Sequence, residues 1–338
     1  MKVIKFFAIT AMAAAMITSC SNEDELSQSN YPSDNIIRVT AGVNNAKTRA
    51  EGAGTEMKND FSLTIVNKNA PKYTYTDKVF SKSSGDWACS ETLLWQKSDA
   101  LVDIVAFAPA QTGKFNGVYA NGSIQPIAYS VAKDQTTADD NNDLLYYYAP
   151  GFNPGKSLVD KKLSIQFNHA FCMIDIVVTL GTEFNKPKVL DDSPIVKVTL
   201  DGTKIAANVD VKNAATGSTT TTAASVVTAS ETATPTTITT TKGTFTKAAN
   251  EEANAKSCFS CIAIPQTVAA NTFKVSLMTA GKRYEWTSDK EITLKSGYRY
   301  TLELSMGNDV VLLKGGSDNG GITATPWGNG TDGSLETD

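Results

Sequence analysis

The sequence contains few of the residues from which catalytic sites are usually built. It has one histidine, His169, and it contains neither a glycine-rich phosphate loop nor a dinucleotide-binding fingerprint. A single histidine excludes most Ser-His-Asp and Cys-His arrangements unless His169 itself is the base. Because His169 lies in the most apolar stretch of the chain, a buried structural histidine is the simpler interpretation. We therefore predict that the protein is not an enzyme and has no catalytic residues.

The sequence also lacks a complete metal-binding motif. Oxygen-bearing side chains at Asp139, Asn141 and Asp143 resemble the first half of a calcium loop. Leu144 stands where such a loop needs a glycine for its sharp turn, and Pro150 stands where it needs a bidentate glutamate. We therefore predict a polar turn here, with no metal and no cofactor.

Basic residues do not outnumber acidic ones, and cysteines are few. The formal net charge is −4, and it becomes −6 if residues 1–19 are removed with their two lysines. This balance argues against a nucleic-acid partner, because phosphates require a basic face. Of five cysteines, Cys258 and Cys261 form a C-x-x-C motif, but the motif continues directly into a strand-like segment. Residues three apart on a strand point to opposite faces, so we predict structural thiols there.

Long apolar runs are absent except at the N-terminus. Lys2 and Lys5 precede about a dozen apolar residues, 6–17, a run too short to span a bilayer and typical of an export signal. Thr18-Ser19-Cys20 then supplies small residues and a thiol, and it resembles a lipoprotein cleavage site with Ile17 in place of the usual leucine. We predict that residues 1–19 are a signal peptide and that Cys20 carries lipid, including acyl chains such as palmitate, which suffices for stable anchoring. The alternative is an ordinary secretory signal with an incidental cysteine.

The residues directly after Cys20 are acidic. Ser21-Asn22-Glu23-Asp24-Glu25 is similar to the signal that sends some lipoproteins to the outer face of the outer membrane. A solvated linker is the alternative, since charge runs usually have that role. We predict a surface-exposed outer-membrane lipoprotein with an acidic linker over residues 20–33.

Helical periodicity is absent, whereas two-residue alternation is widespread. Tyr298, Tyr300, Leu302, Leu304 and Met306 alternate with polar residues, which predicts a half-buried strand. Similar alternation predicts strands at 61–65 and 102–106 and an antiparallel meander over 273–306. The fold class predicted from these patterns is all-β.

The apolar stretch 163–180 changes its phase midway. Leu163, Ile165 and Phe167 occupy odd positions, whereas the apolar residues from Cys172 to Leu180 occupy even ones. One flat strand cannot do this, so a bend or bulge is expected near residues 168–170.

The length suits two domains, and the polar, proline-containing stretch 186–194 is a plausible boundary between them. We predict one β-domain over residues 34–186 and a second over 187–338. The threonine-rich segment 216–246 is expected to contain weakly fixed strands and a loop.

Several stretches, taken in order, resemble the fimbrillin-like family of surface lipoproteins, the type V pilins and their relatives. These stretches are Ile36–Ala41, Lys47-Thr48-Arg49-Ala50, Val102–Pro109, Asp143–Tyr147, Phe167-Asn168-His169-Ala170, Ile264-Pro265-Gln266, Gly297–Tyr300 and Ile322–Trp327. Each motif alone is weak, but their order covers nearly the whole chain, apart from the threonine-rich segment.

The resemblance implies two transthyretin-like β-sandwich domains and a role as a fimbrial subunit, of shaft or tip. In that family an arginine-specific protease cuts after an arginine in the N-terminal strand, which opens a groove in the core, and a C-terminal strand of the neighbouring subunit fills that groove. Carried over, the processing site is Arg49–Ala50, and the donor strand is either Val310–Leu313, with Gly315-Gly316 as hinge, or Ile322–Trp327. The alternative is a surface lipoprotein that binds a host protein or glycan without polymerising.

Overall fold

The computed structural model describes residues 30–44, 57, 59–214, 225–313 and 322–327. The regular secondary structure of these residues is predominantly β-strand, which confirms the predicted all-β class. The helical segments are α1 (Pro154–Ser157) and five 3₁₀ turns, Pro71–Tyr73, Asn116–Val118, Asp140–Asn142, Thr182–Asn185 and Val211–Ala214. Within the described ranges, no helix has the length and apolar character needed to cross a membrane.

The strands are short and numerous, as the two-residue alternation predicts. The first half of the described chain contains β1 (Val39–Val43), β2 (Phe61–Val66), β3 (Tyr75–Ser83), β4 (Asp86–Cys89), β5 (Val102–Ala108), β6 (Tyr119–Ala120), β7 (Ser123–Ile124), β8 (Ile127–Ser130), β9 (Leu145–Phe152), β10 (Leu163–His169) and β11 (Cys172–Leu180). The second half contains β12 (Ile195–Thr203), β13 (Ala206–Val209), β14 (Val227–Ala229), β15 (Thr236–Thr239), β16 (Thr241–Thr246), β17 (Ala255–Ala263), β18 (Gln266–Val268), β19 (Lys274–Thr279), β20 (Arg283–Thr287), β21 (Ile292–Leu294), β22 (Tyr298–Met306), β23 (Val311–Leu313) and β24 (Thr323–Pro326).

Seven strands close into a barrel in the order β1-β10-β9-β5-β2-β3-β4. The ring closes where β4 meets β1, and closure removes the free edges that an open sheet would have. Phe61 lies at the centre of the barrel core, stacked on Phe80 at 5.3 Å between ring centroids and edge-on to Phe167 at 5.6 Å. Aromatic packing therefore joins β2, β3 and β10 across the barrel.

The strands outside the barrel form a large sheet and several smaller ones. The large sheet has the order β16-β17-β11-β22-β23, with β24 also paired to β22, and a four-stranded sheet has the order β15-β12-β19-β20. Three small sheets, β14-β13-β8, β18-β21 and β6-β7, complete the described strands. The central strand β11 is paired on both sides, antiparallel to β17 along its whole length and parallel to β22 from Met173 to Leu180.

The predicted meander is correct only for its first hairpin. β19 and β20 pair antiparallel, as expected. β21 instead pairs with β18, and β22 runs parallel to β11. Alternation predicts strands but not their partners, so the meander prediction was wrong beyond residue 287.

The phase change near residues 168–170 is a switch between two sheets. β10 ends at His169 in the barrel, residues 170–171 bend, and β11 begins at Cys172 in the large sheet. The switch lies upstream of the boundary predicted at residue 186, and β11 belongs with the strands of the C-terminal half. The division into two sandwich domains stays a prediction.

The barrel strand β5 contributes to two hydrophobic cores at once. Ile104, Ala106 and Ala108 face the barrel interior, whereas Val105 and Phe107 belong to the core of the large sheet. A strand buried on both faces must be apolar at nearly every position, and β5 has this character. The two halves of the molecule therefore share a strand as well as a connection.

Candidate functional site

The N-terminal strand β1 has an unusual attachment to the barrel. It runs parallel to β10 over its whole length, from Val39 opposite Leu163 to Val43 opposite Phe167. Parallel partners require a long connection, and here most of the barrel lies between the two strands in sequence. β1 thus lies between β10 and β4 in the barrel, far in sequence from its partner β10.

The other edge of β1 is held weakly. Its only strand pairing with β4 joins Val39 to Trp87, and beyond that point a gap of about 410 Å³ separates the two strands. Residues 39–42 line one side of this gap, and 85–87 line the other. β1 is therefore paired along its whole edge with β10 but at only one position with β4. We call the largely unpaired boundary between β1 and β4 the seam.

Apolar side chains of the β1 segment complete the barrel core. Ile37, Val39 and Val43 are almost fully buried, whereas Thr40 between them is exposed. Burial of each such side chain contributes about 1.5–3 kcal/mol relative to exposure. Loss of the strand would consequently expose the interior of the barrel along the inner face of β10.

Hydrogen bonds fix the segment at both ends. The Trp95 amide donates to the Asn35 carbonyl at 2.8 Å, and the Asn44 amide donates to the Phe167 carbonyl at 2.8 Å. Arg38 pairs with Asp34 at 2.5 Å, and its hydrogen bonds lower the pKa of the Asp34 carboxyl to about 2. Both partners of this ion pair are exposed, so it contributes little to stability.

The predicted sites of lipid attachment and processing, Cys20, Arg49 and Ala50, lie outside the described residues. In sequence, Arg49 follows the last residue of β1, Val43, by six positions. A cut after Arg49 would separate β1 from every strand that follows it.

The two donor candidates occupy a single edge of the large sheet. β23 pairs antiparallel with residues 304–306 of β22, and β24 pairs antiparallel with residues 298–301 of the same strand. Both therefore cover the edge of β22 that faces away from β11. The hinge candidate, Gly315-Gly316, lies outside the described residues.

Trp327 anchors the end of β24 to the point where the chain changes sheets. Its ring is buried and stacks on His169 at 3.9 Å between centroids, with the planes 5° apart. Its amide donates to the Gly297 carbonyl at 2.6 Å. This contact is not predictable from the sequence, although Trp327 stands at the end of a family-like motif.

His169 is buried, as predicted. Its Nδ1 lies 3.0 Å from an Asp143 carboxylate oxygen, and its Nε2 has no hydrogen-bond partner among the described residues. The ring is covered by Trp327, so this pair lies in a packed interior.

The 139–143 segment has a structural role in the described chain. Asp139 accepts a hydrogen bond from the Asn141 amide at 2.9 Å and caps the short 3₁₀ turn that follows. The Asn142 side chain accepts from the Ala132 amide at 2.6 Å, and Asp143 faces His169. These contacts point the oxygens at the backbone and at the imidazole.

The four cysteines within the described ranges are not disulfide-bonded. Cys258 and Cys261 lie on β17, where the buried Cys261 and the half-buried Cys258 point to opposite faces. Burial raises the pKa of the Cys172 thiol, and to a smaller degree that of Cys258. A raised pKa suppresses the reactive thiolate, consistent with structural thiols.

Comparison with solved structures identifies proteins of similar fold. The fold is similar to that of a candidate cell adhesion protein from Bacteroides uniformis, with a TM-score of 0.54 and 13% identity over 88% of this chain and 99% of that one. A candidate cell adhesion protein from Bacteroides ovatus has a TM-score of 0.54 and 16% identity over 86% and 96% of the two chains. A fimbrial protein from Bacteroides vulgatus has a TM-score of 0.51 and 14% identity over 86% and 99%. At these identities the likeness shows the fold alone.

A model of the fimbrillin-like family matches residues 48–327, most of the chain. The chain belongs to the fimbrillin-like family, and it is therefore a fimbrial-type surface protein. The resemblance found in the sequence motifs is thereby confirmed. A search among curated proteins found no match.

Proposed function

We propose that the protein is a structural subunit of a cell-surface fimbria, exported as a lipoprotein through Cys20 and assembled by donor-strand exchange. The observation that carries this proposal is the attachment of β1. It fills the barrel core with apolar side chains, it is paired along its full length only with β10, and Arg49 follows it closely. Family membership supports the same reading.

Cleavage after Arg49 changes how strongly β1 is retained in the barrel. While the chain is intact, β1 is tethered to the barrel and re-docks at a high effective concentration. Once it is cut, the strand can diffuse away, and another extended segment can pair with β10 and insert apolar side chains in its place. Main-chain hydrogen bonds supply affinity in this mode, and alternate side chains supply specificity.

The incoming strand is a C-terminal segment of a neighbouring subunit, containing either β23 or β24. Each must leave its place on β22 to be donated. Within the described residues, β23 has three paired positions with β22. β24 is held more firmly, because it has four paired positions and ends at the buried Trp327. These contacts favour β23 as the donor.

In this proposal the lipid on Cys20 is a device for transit. Removal of residues 20–49 would release the subunit from the outer membrane and open the groove in one step. A subunit that keeps Cys20 would instead stay anchored at the surface. The position within a fimbria, shaft or tip, follows from whether both the groove and the donor strand are used.

The test is cleavage of the purified lipoprotein by an arginine-specific endoprotease, followed by electrophoresis without boiling. The chain has four arginines, and Arg49 is the one whose cleavage frees β1. We expect a ladder of stable oligomers from the cleaved protein. Arg49→Lys should abolish the ladder, because lysine keeps the charge but is not a substrate. Arg38→Lys, which alters the arginine on the other side of β1, should leave the ladder unchanged.

A persistent monomer that has lost residues 20–49 would contradict the polymerisation proposal. That outcome would favour the alternative, a surface lipoprotein that binds a host protein or glycan without polymerising. One observation favours this alternative: β23 and β24 are both already paired with β22 of their own chain.

A further inference from the structure

An open cleft of about 790 Å³ lies in the C-terminal half, with residues of β14 and β18 along its walls. None of its lining residues belongs to β1 or β4, so it is distinct from the seam beside β1. Its volume is within the range of about 300–1,000 Å³ that is common for binding sites.

The residues that line the cleft indicate whether the edge or the face of β14 borders it. Residues 225–229 line it without interruption, and so do residues 265–267 on the β18 side. The face of a sheet would contribute only every second residue, because side chains alternate along a strand. Consecutive lining residues therefore indicate that the cleft is bounded by backbone edges.

Both edges belong to outermost strands. β14 is the end strand of the sheet β14-β13-β8 and pairs with β13 at residues 207–209. β18 pairs with β21 and is outermost in its own two-stranded sheet. The Val227 amide on the β14 edge donates to the Ser225 hydroxyl at 3.3 Å, a contact that an added strand would replace. A strand edge without a partner strand is a template for an added strand. The cleft thus has the form of a slot between two strand edges.

The charge of the slot differs from that of the chain as a whole. Lys204 and Lys295 are among its lining residues, and aspartate and glutamate are not, although the chain carries a formal net charge of −4. The Lys204 ammonium is held beside the end of β14, where it donates to the Ser230 carbonyl at 3.0 Å. Coulomb attraction therefore favours an anionic occupant, and the effect is reduced by salt.

Polar and aromatic groups complete the slot. Tyr146 and Tyr298 are both partly buried, so each presents part of its ring to the slot. Ser296 also lines it, and its buried hydroxyl has no hydrogen-bond partner within the described part of the chain. The tyrosine rings offer apolar contact area, and the Ser296 hydroxyl offers a free hydrogen-bonding group. An extended peptide with alternating apolar and polar side chains can use both.

We propose that this cleft is a second strand-acceptor site, which binds an extended acidic peptide segment of another protein by addition to the β14 edge. The peptide would place backbone amides and carbonyls against β14 and carboxylates beside Lys204 and Lys295. The proposal goes beyond fimbrial assembly, because it requires neither cleavage at Arg49 nor departure of β1.

The experiment uses the intact, uncleaved protein and a fluorescent ten-residue peptide that alternates glutamate with valine and threonine. Binding is followed by anisotropy at low and high salt, and the site is located by amide hydrogen exchange. We expect saturable binding that weakens with salt, and slower exchange at residues 225–229. The lysine-for-glutamate counterpart should not bind, nor should a peptide with N-methylated backbone amides on its pairing edge.

A matched pair of variants tests the charge. Lys204→Glu with Lys295→Glu should weaken binding about tenfold or more, since two favourable pairs become repulsive. Lys133→Glu with Lys161→Glu changes the total charge equally at exposed positions outside the slot, and it should leave binding within about twofold.

Several results with the intact chain would overturn the proposal. These are absence of binding by the acidic peptide, equal binding of the N-methylated peptide, equal weakening in both variant pairs, and exchange protection elsewhere in the chain. Residues 328–338 include Asp332, Glu336 and Asp338 and are the competing occupant within this chain. If the peptide binds only after these residues are deleted, the slot serves the chain's own tail, and the proposal of an external partner is wrong.

Discussion

At the scale of single residues, Trp327 and His169 connect parts of the chain that are far apart in sequence. His169 is the last residue of β10 and therefore sits on the strand that holds β1. Trp327 follows β24, one of the donor candidates, and stacks on the His169 ring. The place where β1 docks and the place where β24 docks are thus linked through one pair of rings.

Replacing Trp327 by alanine is expected to lower the free energy of unfolding by about 3–5 kcal/mol, because a fully buried indole is removed and His169 is uncovered. If the substitution instead allows β24 alone to open, the amides of residues 323–326 should exchange faster. Denaturant unfolding measures the change in the free energy of unfolding, and hydrogen exchange measures the local opening. Leu312→Ala in the exposed part of β23 is the control, and its expected change is below about 0.5 kcal/mol. Equal stability and exchange in the two variants would show that the stacked pair does not anchor β24.

At the scale of elements, β1 combines good burial with limited pairing. Its inner face carries Val39 and Val43, whereas its outer residue Thr40 meets solvent. The strand therefore stabilises the barrel mainly through side-chain burial and its ladder with β10. This combination suits a segment that is stable until it is cut and replaceable afterwards.

Two neighbouring positions of β1, one buried and one exposed, give a matched pair of variants. Val39→Asp should reduce the free energy of unfolding by about 3 kcal/mol or more, because it removes buried apolar surface and places a carboxylate in the core. Thr40→Asp adds the same charge on the exposed side and should change stability by less than about 0.5 kcal/mol. Urea unfolding of both variants measures the difference. Similar losses at both positions would contradict the observed orientation of β1.

At the scale of the whole molecule, the two halves are joined by more than the link at residues 170–171. The two faces of β5 contribute side chains to two different cores, and β8 of the first half pairs with β13 of the second. Unfolding of one half would expose apolar surface that belongs to the other. The expected behaviour is therefore a single cooperative transition.

Fluorotryptophan labelling can test this cooperativity. Trp95 stacks on Phe152 in the barrel, whereas Trp286 packs against Phe273 in the C-terminal half. The fluorine resonances of these two residues should lose their native intensity at the same denaturant concentration, because β5 couples the cores. Two separate midpoints would instead show that the halves unfold independently, as expected for two domains with distinct cores.

Much of the fold and of the candidate site was accessible from local sequence patterns. Alternation identified β2, β5 and β22, and the phase change at 163–180 located the switch between sheets. The order of weak motifs identified the family. Each of these signals comes from residues a few positions apart, and their spacing reflects the local geometry of a strand or a turn.

The pairing of strands was inaccessible for a physical reason. A strand's alternation states which face is buried but not which strand lies beside it, and parallel partners leave no turn in the sequence between them. The parallel placement of β1 on β10 and the antiparallel pairing of β21 with β18 are decided by packing over the whole chain. The contact of Trp327 with His169 is decided in the same way.

The sequence by itself determined the all-β class and the family, because these depend on composition, periodicity and short motifs. Lipid attachment at Cys20 and processing at Arg49 stay predictions. Only the tertiary structure decided that β1 is held along one edge, that β23 and β24 share the edge of β22, and that β14 and β18 border a cationic slot. The first feature joins residues more than a hundred positions apart, the second places two separate segments on one edge of β22, and the third brings together strands of different sheets. Their free energy comes from non-local burial and hydrogen bonding, which no short window of sequence encodes.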